Sequence, residues 1–308
     1  LNVEEERLML IAALKVLNEQ DYIWYTLYSL YHQVDKIVII ECADRWNKMA
    51  NPKWVTEDGL SVDNTAEIVK NFPDPLGKIK FIQYGLLKEQ KTDLELGKIF
   101  MQHFEPGDWI LWTDADEIYS AKLFERVRTL VQCRRPSPGK IGIYKLNFWG
   151  DFKHVIYSDT RGCWHQSHLK FQKVPEGDGV HCAGPDLAMN FFGGKSTGGA
   201  VQLWESFYHY SYVRRPQWIA YKMRWLIWNG WERLAGSHDT PHKELDGRKW
   251  TKEEWVRHQL PFTLDFDWVN GVFIREYHGP HPEVMMDHPF SQWKWDEKPF
   301  PYDESWEF

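Results

Sequence analysis

Apolar and polar positions fall into blocks along this chain, and the period of the blocks changes as it proceeds. Leu8 to Leu17 is a nearly continuous apolar run that reads as a first buried strand. Asn18-Glu19-Gln20-Asp21 ends it, and Tyr22 to His32 has the spacing of an aromatic helix, with Asp21 placed to cap it. Lys36-Ile37-Val38-Ile39-Ile40 is a β-branched strand ending at Glu41, and a polar excursion from Asp44 to Ser61 follows. Asn64 and Glu67 stand at capping-box spacing before a helix over Ala66 to Asn71. Lys78 to Ile82 gives a third strand, Thr92 to Phe104 a helix, and the run into Asp114 a fourth strand. Strands alternating with helices at short spacing predict a parallel, right-handed βαβ sheet. No Gly-x-Gly-x-x-Gly follows the first strand and no P-loop occurs, so the nucleotide folds with those signatures are unsupported.

Beyond residue 140 the pattern loosens. Ile141 to Phe148 reads as a strand, Gly177-Asp178-Gly179 and Gly193 to Gly199 as loops, and Trp218 to Trp231 as an aromatic helix. Thr251-Lys252-Glu253-Glu254 reads as the cap of one more helix. The tail after Gly279, rich in Pro, Trp and acid, is expected to wrap the surface.

The chemistry concentrates in Trp109-Ile110-Leu111-Trp112-Thr113-Asp114-Ala115-Asp116-Glu117-Ile118, an apolar strand ending in two aspartates separated by one small residue. Side chains two apart on extended backbone share a side, so both carboxylates converge past the strand's end. Carboxylates that close need a cation between them or a shifted pKa. Hard oxygen ligands suit Mg²⁺ or Mn²⁺, ions that commonly also hold a substrate's phosphates. The run therefore points to a metal–diphosphate site at the carboxyl edge of an α/β sheet, where open sheets place their ligands. Simpler alternatives are a solvated turn or a helix cap. A calcium loop would need a glycine after Asp116, where Glu117-Ile118-Tyr119 stands instead. An aspartyl phosphatase also carries Asp-x-Asp after an apolar strand, but that motif normally opens its domain.

Composition narrows the classes. The net charge is −7, and Lys and Arg form no block longer than pairs such as Arg134-Arg135 and Arg214-Arg215, so no nucleic-acid partner is expected. No apolar run approaches the ~20 residues of a membrane span. Glu4-Glu5-Glu6 has the wrong charge for an export signal, although a chain without its initiator Met could have lost one. Cys42, Cys133, Cys163 and Cys182 are scattered, which reads as reduced thiols and a cytoplasmic protein. A zinc site around Cys163, His165, His168, His181 and Cys182 would match no common ligand spacing. With 18 Trp, 14 Tyr and 17 Phe, most rings must form a heavily aromatic core, yet many lie in polar, Gly- and Pro-containing company, as Trp225, Trp228 and Trp231 do. Sugar stacking and contact within a homo-oligomer share that signal.

With these elements placed, the chain resembles the family-2-like glycosyltransferases of the GT-A fold over roughly residues 8 to 230. The likeness rests on an ordered set. Asn18-Glu19 looks like the turn after that family's opening strand, and Glu41 stands at its acidic nucleotide-contacting position. Asp63-Asn64-Thr65 resembles its Asp-Gly-Thr signature, farther from the second strand than is usual there. Lys91-Thr92-Asp93 lies at a nucleotide-contacting turn, and Asp114-Ala115-Asp116 matches the metal-binding Asp-x-Asp. Tyr208-His209-Tyr210-Ser211-Tyr212 is similar to a His-Tyr segment whose His completes the metal shell.

The resemblance implies an α/β, GT-A type fold, with a mostly parallel nucleotide-binding sheet flanked by helices and an aromatic C-terminal extension. A glycosyltransferase domain over 1–230 would divide into a nucleotide-sugar half, 1–135, and an acceptor half, 136–230, before a helical and wrapping extension over 231–308. It implies transfer, by inversion, of a sugar from a nucleotide-diphosphate donor to a glycan or other hydroxyl acceptor, with Mn²⁺ or Mg²⁺ as cofactor. Asp114, Asp116 and His209 would hold the metal, Glu41, Lys91, Asp93 and Asp114 the nucleotide, and Tyr221 and Lys222 the acceptor or diphosphate. An inverting transfer needs a carboxylate to take the acceptor's proton. Related sequences often carry that carboxylate where Cys182 stands, which leaves Asp186 and Asp178 as candidates. An aspartyl phosphatase with Asp114 as nucleophile, and a non-catalytic carbohydrate-binding protein, are the alternatives.

Overall fold

Strand β1 (Leu10–Val16) and strand β2 (Lys36–Ala43) pair in parallel, joined by helix α1 (Ile23–Tyr31). Helices α2 (Arg45–Ala50) and α3 (Thr65–Asn71) lead to β3 (Ile79–Leu86), and α4 (Thr92–Met101) leads to β4 (Trp109–Asp114). After the short β5 (Glu117–Ile118) and α5 (Ala121–Cys133) come β6 (Lys140–Trp149), β7 (His154–Ser158), β8 (Gln166–Lys173) and β9 (Ala200–Tyr212). A separate hairpin, β10 (His242–Leu245) with β11 (Arg248–Thr251), precedes β12 (Val272–Glu276). This computed structural model describes residues 9–88, 92–133, 138–158, 166–174, 199–215, 217–219, 221–222, 224–225, 242–245, 248–251 and 272–294.

The strands of one large sheet run β12-β7-β6-β8-β4-β1-β2-β3, with β9 paired to both β6 and β5. The half formed by β3, β2, β1 and β4 is parallel, as the βαβ pattern predicts. Beyond β4 the sheet turns antiparallel through β8 and β6, then adds β9 parallel to β6. The architecture is thus α/β, with a large central sheet flanked by helices, as expected of a GT-A-like fold.

Why the apolar runs become strands is visible in β1. Leu10, Ala12, Leu14 and Val16 point to one face, where Ile23, Leu27 and Leu30 of α1 and Leu123, Phe124 and Val127 of α5 cover them. Ile11 and Ala13 point to the other, under Leu96, Ile99 and Phe100 of α4. A strand buried on both faces loses the polar alternation of an edge strand.

Local chemistry corrects the expected helix starts. Asp21 does not cap α1: the first turn hangs instead on the Glu19 carbonyl, which accepts from Tyr22 and Ile23 N–H, and Asp21 pairs with Arg215 at 3.1 Å. At α3 the Asn64 side chain makes no capping bond, because Asp63 Oδ1 already accepts from the Thr65 amide at 2.9 Å. The polar excursion hides α2, whose Asp44 and Asn47 cap each other reciprocally. Thr251 ends β11, and the helix expected after it lies outside the described residues. So does the stretch of the Trp218 to Trp231 helix beyond Trp225, with Trp228.

The carboxy-terminal stretch does more than wrap. Met285 and Phe290 are buried in a cluster with Tyr22, Ile118, Phe148 and Tyr210. His288 stacks on Tyr22 at 4.6 Å and bonds the Asp21 carbonyl through Nε2 at 2.8 Å, while its Nδ1 accepts from the Phe290 amide. Burial lowers its pKa from 6.5 to about 4, against the pull of the Asp21 carbonyl and with the Arg214 charge adding to it. The unfolded chain takes up a proton near 6.5, but the folded chain holds out to about 4. The stability His288 carries is therefore fully present above pH 6.5 and is lost as pH falls toward 4. Urea unfolding is expected to show a loss of up to about 3 kcal/mol across that window. His288→Asn, which cannot take up the proton, should flatten that part of the profile; a profile as steep as the parent's would contradict this.

Candidate metal centre

The parallel strands share a register that gathers acidic residues at one edge. Asp114 at the end of β4 lies beside Lys15, and Glu41 on β2 lies beside Val16. The chain then turns through Ala115 and Asp116. Thr26 Oγ1 pins the Ala115 carbonyl at 2.5 Å, and the Asp116 carbonyl accepts from the Tyr210 amide at 3.0 Å. This turn carries Glu117 onto β5, where it pairs directly with His209 of β9. On the far side of β9, His209 pairs with Asn147 of β6. Glu117, His209 and Asn147 thus stand in one row across three strands.

One ligand atom each from Asp114, Glu117 and His209 lies within 4.8 Å of the others. His209 Nδ1 meets Asn147 Oδ1 at 2.7 Å, so that nitrogen carries the proton and Nε2 keeps its lone pair. Nε2 faces Asp116 Oδ1 at 3.5 Å. Burial pushes the imidazole pKa well below 6.5 and outweighs the opposing pull of Asp116, so the ring is neutral. A lone pair and a carboxylate facing each other without a proton between them form an arrangement that a cation satisfies. The donor set, carboxylate oxygens with one imidazole nitrogen, suits a first-row divalent ion or Mg²⁺.

The carboxylates differ in their partners. Asp114 is exposed, and its amide donates to Glu117 Oε2 at 3.2 Å. Glu117 is buried, with both oxygens 2.6 Å from Lys170 Nζ and Oε2 also 2.6 Å from the Tyr119 hydroxyl. Burial raises its pKa, and Lys170 opposes that rise. Asp116 accepts from Arg214 Nη2 at 2.9 Å, and the same nitrogen reaches Glu19. Burial alone would raise Asp116, but the nearby His209, Arg214 and Lys222 hold it well below the usual carboxylate range. With His209 neutral, the guanidinium supplies the main pull. Burial pushes Glu19 up to about 8 despite Arg214, so of the two acids on this guanidinium Asp116 keeps the charge at neutral pH.

Arg214 is fully buried between the rings of Trp218, 3.8 Å from its carbon, and Tyr22, 4.8 Å away. Such faces stabilise a cation where water is excluded.

Of the residues picked from sequence, Asp114, Asp116 and His209 are brought together. Glu41 lies at the same sheet edge, fully buried, its oxygens accepting from the Ser61 amide at 3.0 Å and Gln83 Nε2 at 2.9 Å. Asp93 falls in the first turn of α4. Lys91, Asp178 and Asp186 lie outside the described residues, as do Cys163, His165, His181 and Cys182. Tyr221 is buried, stacked on Trp54 at 4.7 Å, with its hydroxyl accepting from Asn47 Nδ2 at 2.8 Å. Lys222 donates to Ser211 Oγ and lies 5.1 Å from the Tyr212 ring.

Sequence reasoning passed over Glu117, Asn147, Lys170 and Arg214. The available signal was polar residues inside apolar strands, Lys145 and Asn147 at alternate positions of β6 above all.

No protein-family model matches the sequence, and no curated protein matches it. Among solved structures, S. aureus TarS 1-349 is similar to this chain at 14% identity and a TM-score of 0.31. The match covers 46% of this chain and 36% of that one, so the chain spans about a third of that neighbour's length. At that TM-score the likeness sets neither family nor activity. Among the described residues, no helix is long and apolar enough to cross a membrane.

The buried ion pairs allow a direct test. Arg214→Met keeps the packing between Tyr22 and Trp218 but leaves Asp116 without its guanidinium. Urea unfolding is expected to register a loss of roughly 3–5 kcal/mol, whereas Asp116→Asn, which leaves Arg214 paired with Glu19, should cost clearly less. A loss in Arg214→Met no larger than that in Asp116→Asn would contradict this account of the ion pairs.

Proposed function

We propose that this protein is a metal-dependent glycosyltransferase that moves a sugar, with inversion, from a nucleotide-diphosphate donor to an acceptor hydroxyl. The observation that carries the proposal is the cluster of Asp114, Glu117 and His209 at the carboxyl edge of the sheet's parallel half, with a neutral imidazole turned toward the carboxylates. Asp114 and His209 would bind Mn²⁺ or Mg²⁺, with Asp116 and Glu117 on either side. The cation would neutralise the departing diphosphate, which is otherwise a poor leaving group.

The chain's own residues do the rest in this proposal. Asn147 holds the His209 tautomer, Lys170 and Tyr119 orient Glu117, and Arg214 fixes Asp116. Glu41, Lys91 and Asp93 are assigned to the nucleotide by the sequence resemblance, and Asp178 and Asp186 stay the candidates for the base that takes the acceptor's proton. On the acceptor side, Lys222 keeps its assignment beside the acidic cluster, and Tyr221 would act through the Trp54 and Asn47 contacts that support it.

A hydrolysis screen of nucleotide sugars with Mn²⁺ tests the proposal. At least one donor is expected to lose its sugar, excess EDTA to abolish the reaction, and Asp114→Asn and His209→Gln each to lower it by a hundredfold or so. Release of phosphate from aryl phosphates with no donor turned over would favour the phosphatase instead, and full activity in EDTA would reject the metal.

A further inference from the structure

The cations around the acidic cluster can be matched to their partners one by one. Arg214 serves Glu19 and Asp116. Lys170 is held against both oxygens of Glu117. Lys222 is tied to Ser211 Oγ and lies over the Tyr212 and Trp218 rings. Lys145 remains. Among the described residues its ammonium makes no hydrogen bond and no ion pair, although it lies in the field of Glu117, Lys170, Lys222 and Asp114.

Its position is set by the sheet. Lys145 precedes Asn147 by two residues on β6, so the two share a face, and Asn147 is the residue that holds His209. Across to β9 the register places Lys145 opposite Phe207 and Asn147 opposite His209. On the other side Lys145 stands opposite Gln166 of β8, two pairs along from His168. Lys145 therefore stands one row along β6 from the row that holds Glu117, His209 and Asn147. It is half-buried, and its burial favours the uncharged amine over the ammonium. Keeping an ammonium there without a partner costs free energy that a bound anion would return.

We propose that Lys145 is a binding residue for the donor's diphosphate, meeting the phosphate oxygens beside those held by the cation. This rests on the transferase reading of the site. The cluster's carboxylates are spoken for in this reading: Glu117 is held by Lys170 and Asp116 by Arg214, and Asp114, whose field also reaches Lys145, is assigned to the cation. A compact point charge on a flexible stem suits phosphate oxygens whose position shifts between bound donor and departing diphosphate.

Calorimetric titration of the full chain tests this, first with Mn²⁺ alone, then with inorganic pyrophosphate in the presence of Mn²⁺. Lys145→Met is expected to leave Mn²⁺ affinity unchanged or raised and weaken pyrophosphate about tenfold or more, and Lys145→Arg to recover most of the loss. The Lys145→Met variant should melt at or above the parent temperature, since it removes an ammonium that has no partner among the described residues. Pyrophosphate binding equal to the parent's would overturn the assignment, and so would a marked fall in melting temperature, which would mean a structural role. A parent protein that binds Mn²⁺ but not pyrophosphate would instead overturn the diphosphate site itself, and this assignment with it.

Discussion

Four acids, Glu19, Asp114, Asp116 and Glu117, meet at one end of the sheet, and pairing or neutralising their carboxyls is the constraint around which the neighbouring structure is arranged. Like charges at such distances cannot all be ionised in a buried setting unless cations are built in beside them. The chain supplies two that are paired with carboxylates of the cluster. Arg214 bridges Glu19 and Asp116, and Lys170 closes on Glu117. Each arrives from far along the sequence, so the cluster forms only when the antiparallel half of the sheet has docked on the parallel half.

That docking explains where the aromatic load goes. Tyr22, Phe148, Phe152 and Tyr210 form a wall that the carboxy-terminal Met285 and Phe290 complete from outside. The wall excludes water from the Arg214 side of the cluster, which strengthens the ion pairs there and depresses the His288 and His209 imidazoles alike. Among the described residues the rings are thus mainly core, with Trp24, Tyr28 and Trp204 among the exceptions left exposed. The same low dielectric that makes the pairs strong would make an unmatched carboxylate expensive, so the site is a place where stability and binding draw on the same contacts.

The parallel half of the fold was legible because its strands and helices are local and strongly periodic. The Asp-x-Asp was legible because a strand's end and a two-residue spacing are local too. Glu117 was adjacent and still passed over, since its role follows from the β5–β9 register and not from its neighbours in sequence. In sequence Arg214 stood out only as half of a short basic pair, and nothing local separates it from its neighbour, yet Arg214 is buried and Arg215 exposed. Helix α2 was hidden because six residues are too few for a helical period to declare itself, and its reciprocal Asp44–Asn47 cap is the signal that could have found it. The tail's burial depended on an aromatic pocket assembled from four separate stretches, which no local pattern encodes.

In the proposed reading, function turns on His209 offering Nε2 to a cation shared with the neighbouring carboxylates. Pulsed electron paramagnetic resonance of the Mn²⁺-loaded protein measures that directly, through the coupling of a ligating imidazole nitrogen to the metal's spin. That reading predicts a nitrogen coupling in the parent protein that disappears in His209→Gln while Mn²⁺ stays bound more weakly through the carboxylates. A bound Mn²⁺ with no nitrogen coupling, or a coupling that survives in His209→Gln, would contradict it.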